Sequence, residues 1–355
     1  MERVRIGLIG AGGVARSRHL PALASIPEAD LRLIWSRDPA RAARVAEEFD
    51  IEGTAASWEE ITESEDVDAV IVATPPVLHH PATLKALAAG KHVLSQARMA
   101  RNLREAGEML LASEAAPDLV TCLYPPLPGL KGDRVMARLL HDEGYVGDIR
   151  EVRVTGMSLV EPSDGYSWQA DPDVTGVNTM TMGMWAEVLD RWVGPAIRVA
   201  TTGSSHNPRR RTADGRTVDS VVPDSLAIAA DLECGATATY HFSTAAAFGP
   251  GSSIEIYGSK GALVYTLFKE EIHGATAGRD ELAPIPVPPE EERHQTTDSE
   301  FVRAILEGTP VFPDFHEGMR YMEFSEAVAI SLATGTTVPV PPPETMEAWG
   351  RHLDS

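Results

Sequence analysis

Residues 5–25 read RIGLIGAGGVARSRHLPALAS, and the fold turns on how that stretch is parsed. Arg5-Ile6-Gly7-Leu8-Ile9 is a short apolar run of strand character, while Val14 to Ser25 carries apolar residues at helical period. At the joint, Gly10-Ala11-Gly12-Gly13-Val14-Ala15 fits G-x-G-x-x-[G/A]. Glycines there permit a tight turn and let the backbone approach a pyrophosphate, and a helix N-terminus adds unpaired N–H groups and a favourable dipole. In a strand–turn–helix context the pattern predicts a dinucleotide site at Gly10, Gly12, Gly13, Val14 and Ala15; glycines that only shape a turn are the alternative.

Strand and helix patterns keep alternating outward from this point. Leu31–Trp35, Ala69–Ala73, His92–Leu94 and Leu119–Leu123 read as strands, and Ala40–Phe49, Trp58–Thr62, His79–Ala89 and Leu103–Ala112 as helices. Such alternation predicts an α/β domain with a doubly wound parallel sheet over residues 1–123. Beyond the proline cluster YPPLPG at 124–129 the grammar changes. A helix at Val135–Glu143 leads into strand-like runs at Ile149–Gly156, Ile197–Thr202, Ser225–Leu232, Ala236–Phe242, Ser253–Tyr257 and Ala262–Phe268. Consecutive strands of this kind predict a second, α+β domain over 124–355 with a large, mostly antiparallel open sheet. Thr175–Arg191, Thr297–Glu307 and His316–Ala333 read as helices, Arg209–Arg211 as part of a hairpin loop, Pro284–Arg293 as a loop and the stretch from Pro339 as a closing segment.

Where the second strand ends, an acidic side chain would hold the ribose 2′-hydroxyl of NAD. This chain has Trp35-Ser36-Arg37-Asp38. A guanidinium at Arg37 suits a 2′-phosphate, and Ser36 removes the carboxylate that would repel it, so NADP is favoured over NAD. The competing reading leaves Arg37 in solvent and gives Asp38 the ribose or the cap of the following helix.

Composition narrows the function further. The 355 residues hold 52 Asp+Glu against 31 Lys+Arg, a formal charge of −21 that excludes a broad nucleic-acid-binding face. Only five of the basic residues are lysines: Lys85, Lys91, Lys131, Lys260 and Lys269. Cys122 and Cys234 sit in apolar stretches and are expected as buried free thiols of a cytoplasmic protein. No apolar run reaches the roughly 18 residues of a membrane span, and no H-x-x-x-H or clustered Cys/His spacing suggests a metal.

The segments GLIGAGGVARSRHLPAL, AVIVATPPVLHHPATLKALAAGKHVL, IEIYGSKGALV and DFHEGMRYMEFSEAVAISLATGTTVPVP together resemble the Gfo/Idh/MocA oxidoreductases, over nearly the whole chain. The resemblance implies an N-terminal Rossmann domain, a C-terminal domain whose open sheet builds a dimer or tetramer, and NAD(P)-dependent chemistry on a sugar, polyol or related small carbonyl compound. It also implies cofactor contacts from Thr74, Pro75, His79 and Gln96. Family members follow AGKHVL with Cys/Ser-Glu-Lys-Pro, whose lysine bonds the reacting oxygen; here the run is Ser95-Gln96-Ala97-Arg98. Their second motif, G-G-G-x-x-x-D-x-G-x-H, falls on TGVNTMTMGMW, which keeps Gly176 and Gly183 but has Thr181 for the aspartate and Trp185 for the histidine. All three expected acid/base groups are replaced, and a positioned acid or base contributes about 10²–10⁴-fold.

Four residues are candidates to compensate. Tyr124 offers a proton-donating phenol, Arg98 a cation for a carboxylate or carbonyl, Thr181 a hydroxyl that orients substrate or water, and Trp185 an apolar wall. Each has a bland counterpart in packing or surface exposure. The leading expectation is an NADP(H)-linked oxidoreductase with an altered site acting on a small carbonyl, imine or sugar-derived metabolite. A cyclase, lyase or isomerase on the same scaffold and a nucleotide-sensing regulator without turnover are the rivals.

Overall fold

The structure, a computed structural model, describes residues 2–125, 130–157 and 164–343. The chain divides into two compact units, Met1–Pro126 with Thr296–Met322, and Leu127–Gln295 with Glu323–Ser355.

In the first unit six strands form one sheet: β1 (Val4–Ile9), β2 (Ala29–Trp35), β3 (Gly53–Thr54), β4 (Ala69–Val72), β5 (His92–Gln96) and β6 (Thr121–Tyr124), in the order β3-β2-β1-β4-β5-β6. Every pairing is parallel. Register sets Ile34, Leu8, Ile71, Leu94 and Cys122 in one row across five strands, all in the core. The apolar runs that mark these strands in the sequence follow from that burial, since a parallel sheet covered on both faces leaves no polar side. Each such side chain contributes about 1.5–3 kcal/mol by leaving water. The returning segment adds the helix Thr297–Glu307, whose Phe301, Val302 and Ile305 join the same core. Leu123 at the end of β6 also donates its N–H to the Pro313 carbonyl, 2.9 Å away.

The second unit holds a nine-stranded sheet and a separate hairpin. Its strands are β7 (Ile149–Met157), β8 (Ala196–Ser204), β9 (Arg209–Arg211), β10 (Thr217–Asp219), β11 (Ser225–Leu232), β12 (Thr237–Ser243), β13 (Ser252–Gly258), β14 (Gly261–Thr266), β15 (Glu271–Thr276), β16 (Ala283–Ile285) and β17 (Val338–Pro339). The order is β16-β15-β14-β13-β7-β12-β11-β8-β17, with only β12 and β7 parallel, and β9 pairs with β10. Helical segments cover one face: Trp185 of the helix Met182–Trp192 lies 6.1 Å from the Phe242 ring, and Phe324 lies 5.2 Å from Tyr240. Asp133 ties the packing together. Its carboxylate takes an N–H from Trp192 at 2.9 Å and pairs with Arg191 at 2.5 Å and with Arg293, while Arg191 also pairs with Glu187 at 2.7 Å.

Several local expectations change. Helix begins at Met182 rather than Thr175, because Met180 and Thr181 take left-handed φ values of 47° and 57° that end a short preceding turn. Arg209–Arg211 are the first strand of the hairpin, whose turn is at Gly215, and Ala283–Ile285 pair with β15 instead of lying in a loop. Cys122 is buried, but Cys234 is exposed, since it sits in the tight turn where Gly235 N–H bonds the Leu232 carbonyl at 2.9 Å. Residues 126–129 of the proline cluster and 344–355 of the closing segment lie outside the described residues.

Candidate cofactor and active site

The glycine turn forms as its sequence requires. Gly10 has φ 120°, its N–H bonds the Trp35 carbonyl at 2.8 Å, and a Cβ there would stand 2.3 Å from the Ala73 carbonyl oxygen, so only glycine fits. Gly12 and Gly13 differ: a Cβ on either meets nothing within 4 Å. That open space lies directly before the helical residues, a π-turn at Ala15–His19 running into Leu20–Ala24, and Val14 at its start is exposed. Beside it is a cavity of about 600 Å³ lined by Ala11, Gly12, Gly13, Arg16, Arg41 and Arg44, with Glu48 at its rim paired to Arg16 at 2.7 Å. Open backbone amides facing a cavity with three guanidinium groups fit a pyrophosphate.

At the end of β2, Asp38 is engaged as the cap of the helix Pro39–Glu48. Its Oδ1 accepts from Arg41 N–H at 3.2 Å, and its own N–H donates to Ser36 Oγ at 3.3 Å. Arg37 is exposed and forms no ion pair among the described residues.

The loop after β4 is fastened by His79, which is buried. Its Nδ1 lies 2.6 Å from the Arg98 carbonyl and its Nε2 2.7 Å from the Thr74 carbonyl, so one imidazole joins the loop at Thr74-Pro75 to the segment after β5. Burial lowers the His79 pKa from its ordinary value, although the two carbonyls favour the cation. The neutral ring donates to one of them at a time. Arg98 is itself buried, and desolvation pushes its pKa down to about 10. Ala97, at the position of the family lysine, is half-buried, while the Ser95 hydroxyl has no partner among the described residues.

Gln96 and Tyr124 are register partners at the C-terminal ends of β5 and β6. Between them and the glycine turn stands His19, fully buried, its ring edge-on to Tyr124 with centroids 4.5 Å apart. His19 Nδ1 lies 2.6 Å from Asp298 Oδ1, and its Nε2 bonds the Gln96 side-chain amide. Nothing in the local sequence singles out His19 or Asp298. The two are 279 positions apart, and no local spacing links them.

Thr181 and Trp185 belong to the second unit. Thr181 is half-buried, with left-handed backbone, and its hydroxyl donates to the Met180 carbonyl at 2.6 Å; the Asn178 side chain bonds Gly183 N–H at 3.0 Å. Trp185 is buried against Phe242, and a Cβ on Gly156 would stand 3.3 Å from it. That packing accounts for the indole without a role in chemistry. Among the described residues no group of three or more His, Cys, Asp or Glu is placed to hold a metal, and no helix is long and apolar enough to cross a membrane.

Residues 4–124 match the oxidoreductase family with an NAD-binding Rossmann fold, and residues 135–264 match the GFO/IDH/MocA C-terminal domain. The chain belongs to the Gfo/Idh/MocA oxidoreductases. Among curated members it is 27% identical to an uncharacterised oxidoreductase of Synechocystis sp., over 76% of this chain and 74% of that one. It is 30% identical to the dTDP-3,4-didehydro-2,6-dideoxy-alpha-D-glucose 3-reductase of Streptomyces antibioticus, over 56% of this chain and 59% of that protein. A solved levoglucosan dehydrogenase, in complex with NADH and L-sorbose, superposes with a TM-score of 0.84 at 23% identity, over 96% of this chain and 99% of that one. At that identity the likeness is one of fold. Gfo/Idh/MocA membership and the glycine turn together make the first unit an NAD-binding Rossmann domain.

Proposed function

We propose that this Gfo/Idh/MocA protein is an NADP(H)-preferring oxidoreductase acting on a small carbonyl, imine or sugar-derived metabolite, in a site that does without the family's lysine, aspartate and histidine. The observation that carries the cofactor preference is the end of β2. Asp38 is spent on a helix cap, Ser36 stands where an acid would hold a ribose 2′-hydroxyl, and Arg37 is exposed, four positions before Arg41 of the cavity lining. A nicotinamide nucleotide bound there supplies hydride transfer. The chain's residues then have to bind it through Gly10, Gly12, Gly13, Val14, Ala15, Ser36 and Arg37, with Thr74, Pro75, His79 and Gln96 on the nicotinamide side.

Proton handling falls to what remains. Ala97 and Trp185 have no titratable group and Thr181 is uncharged at neutral pH, which leaves the Tyr124 phenol, backed by the His19 ring, as the proton donor for a nascent alkoxide. Arg98, buried next to Gln96, holds the local potential positive and favours a substrate with a carboxylate or developing oxyanion. The sugar substrate in the name of the Streptomyces antibioticus relative supports the substrate class.

Oligomerisation through the second sheet belongs to the same proposal. On the face opposite the covering helices, Ala200, Thr202, Ala227, Ala229 and Thr239 line a shallow groove on β8, β11 and β12, together with Arg153 and His241 and no carboxylate. A second copy of the chain is the occupant that such an open patch of small side chains, whose lining holds no carboxylate, suits on a strongly acidic protein.

Binding of NADPH and NADH measured by quenching of protein fluorescence, followed by nucleotide consumption over a panel of carbonyls and imines, tests the proposal. Tighter NADPH binding and consumption with at least one panel member are expected. Equal or tighter NADH binding overturns the cofactor preference, and product formation at constant nucleotide overturns the redox assignment in favour of a lyase, cyclase or isomerase.

A further inference from the structure

Asp298, His19 and Gln96 form a chain of hydrogen bonds whose direction is fixed by chemistry at one end. A carboxylate only accepts, so the contact of 2.6 Å between Asp298 Oδ1 and His19 requires the proton on Nδ1. A neutral imidazole with Nδ1–H has a lone pair on Nε2, and its partner there must donate. Glutamine can do so through its Nε2 amide, which is the atom that meets His19 Nε2. Glutamate, which the family pattern places at this position, cannot. All three side chains are buried, at 0% exposure for His19, 2% for Asp298 and 8% for Gln96, so solvent does not compete for these bonds.

With Nε2 directed at His19, the Gln96 Oε1 is the atom of the same amide left turned away from the imidazole and able to accept. Gln96 closes β5 at the C-terminal edge of the parallel sheet, the edge along which dinucleotides bind. We infer that Asp298 and His19 are positioning residues that hold Gln96 Oε1 outward as a fixed acceptor for an N–H or O–H donor of the bound nicotinamide nucleotide. The inference rests on the nucleotide reading above and adds the polarity of the contact and the residues that set it. Gln96 is thereby more than a degraded glutamate: it is a side chain that can donate to the His19 Nε2 and still offer an acceptor.

The polarity can be released and reset. In Asp298→Asn the end of the chain is no longer fixed, because a carboxamide either accepts from Nδ1–H or donates to a bare Nδ1; His19 then also takes the Nε2–H tautomer, in which Gln96 turns to accept and presents its NH₂ outward. Adding Gln96→Glu to that variant returns an acceptor oxygen to the outward position. The experiment is ¹⁵N NMR of histidine-labelled full-length protein together with NADPH and NADH titrations of the wild type, D298N, Q96E and D298N/Q96E. The expected wild type has neutral His19 with Nδ1 protonated. In D298N the Nε2-protonated tautomer appears beside the Nδ1-protonated one, and the Kd of the preferred nucleotide rises by up to roughly fivefold, the scale of one hydrogen bond. The double variant recovers to within about twofold of wild type.

Q96E alone gives an independent check if D298N does not fold, because two flanking carboxylates force His19 to the imidazolium near neutral pH. A wild-type His19 that carries its proton on Nε2, a Q96E His19 that stays neutral, or a double variant that binds no better than D298N overturns the inference. If the wild type binds neither nucleotide while the tautomers behave as expected, the nucleotide reading fails, and the ligand role of Gln96 falls with it; the hydrogen-bond chain itself then stands.

Discussion

The proposed preference for NADP(H) rests on Arg37 and the residues beside it in sequence. Because Asp38 is committed to the cap of the helix Pro39–Glu48, no carboxylate is free at the end of β2 to hold a 2′-hydroxyl. Replacing Arg37 with Ala is expected to weaken NADPH binding about 10–100-fold, the worth of a charge-assisted bond, and to leave NADH unchanged. Parallel calorimetric titrations check it, and equal losses for both nucleotides would assign Arg37 a structural part. Tyr124→Phe is expected to lower kcat about 10²-fold at unchanged nucleotide affinity, read from steady-state rates on any substrate found; an unchanged kcat would remove the phenol from the proton path. Residue-level legibility in the sequence follows sequence distance. Gly10, Gly12 and Gly13 announce themselves because the turn needs them within a few positions, whereas His19 and Asp298 meet only through the return of Thr296–Met322 to the first unit. Glutamine at 96 reads as a lost glutamate until its donor is seen to face an imidazole.

At the scale of elements, the imidazole of His79 staples the loop after β4 to the segment after β5. Burial lowers the pKa of His79, and that of His92 likewise, in the folded state. The unfolded chain therefore binds more protons than the folded one between the lowered values and the ordinary value of about 6.5, and stability rises with pH across that window. Their stabilisation is present above about pH 6.5 and falls by up to about 1.4 kcal/mol per pH unit for each histidine as the medium is acidified. The melting temperature is expected to drop below that pH and to drop less steeply in His79→Gln; identical slopes would contradict the assignment. In the second unit, Arg191 and Arg293 hold the Asp133 carboxyl below its usual range against the upward push of desolvation. Asp133→Asn, which leaves both guanidinium groups short of a partner, is expected to cost about 3 kcal/mol in urea denaturation.

Helix and strand positions were mostly readable because burial enforces their periods, as in Ala69–Val72, buried throughout. The start of the helix at Met182 was not, since left-handed backbone at Met180 and Thr181 is not encoded by glycine. Non-glycine residues held in that region cost of order 1–3 kcal/mol each and gather at functional sites. The pair stands at the very motif whose aspartate this chain replaces, and the Asn178 side chain bonded to Gly183 N–H braces the turn.

Across the whole molecule, the charge of −21 coexists with a proposed anionic ligand because the positive potential is local. Arg16, Arg41 and Arg44 line the cavity at the glycine turn, with Arg37 exposed close by in sequence. The same acidity makes the carboxylate-free lining of the groove on β8, β11 and β12 conspicuous. A mass above that of one 38.2 kDa chain is expected from light scattering, and Ala229→Arg at the centre of that face is expected to reduce it to the monomer. A monomeric wild type would contradict the proposed interface. Hydride chemistry in a pocket without the family's lysine is the centre of the proposed function. The most direct test is transfer of deuterium from NADPH labelled at the nicotinamide C4 into the product, followed by mass spectrometry across the carbonyl and imine panel. One deuterium gained per nucleotide consumed is the predicted result; a product of unchanged oxidation state, carrying no label while the nucleotide stays intact, would contradict it.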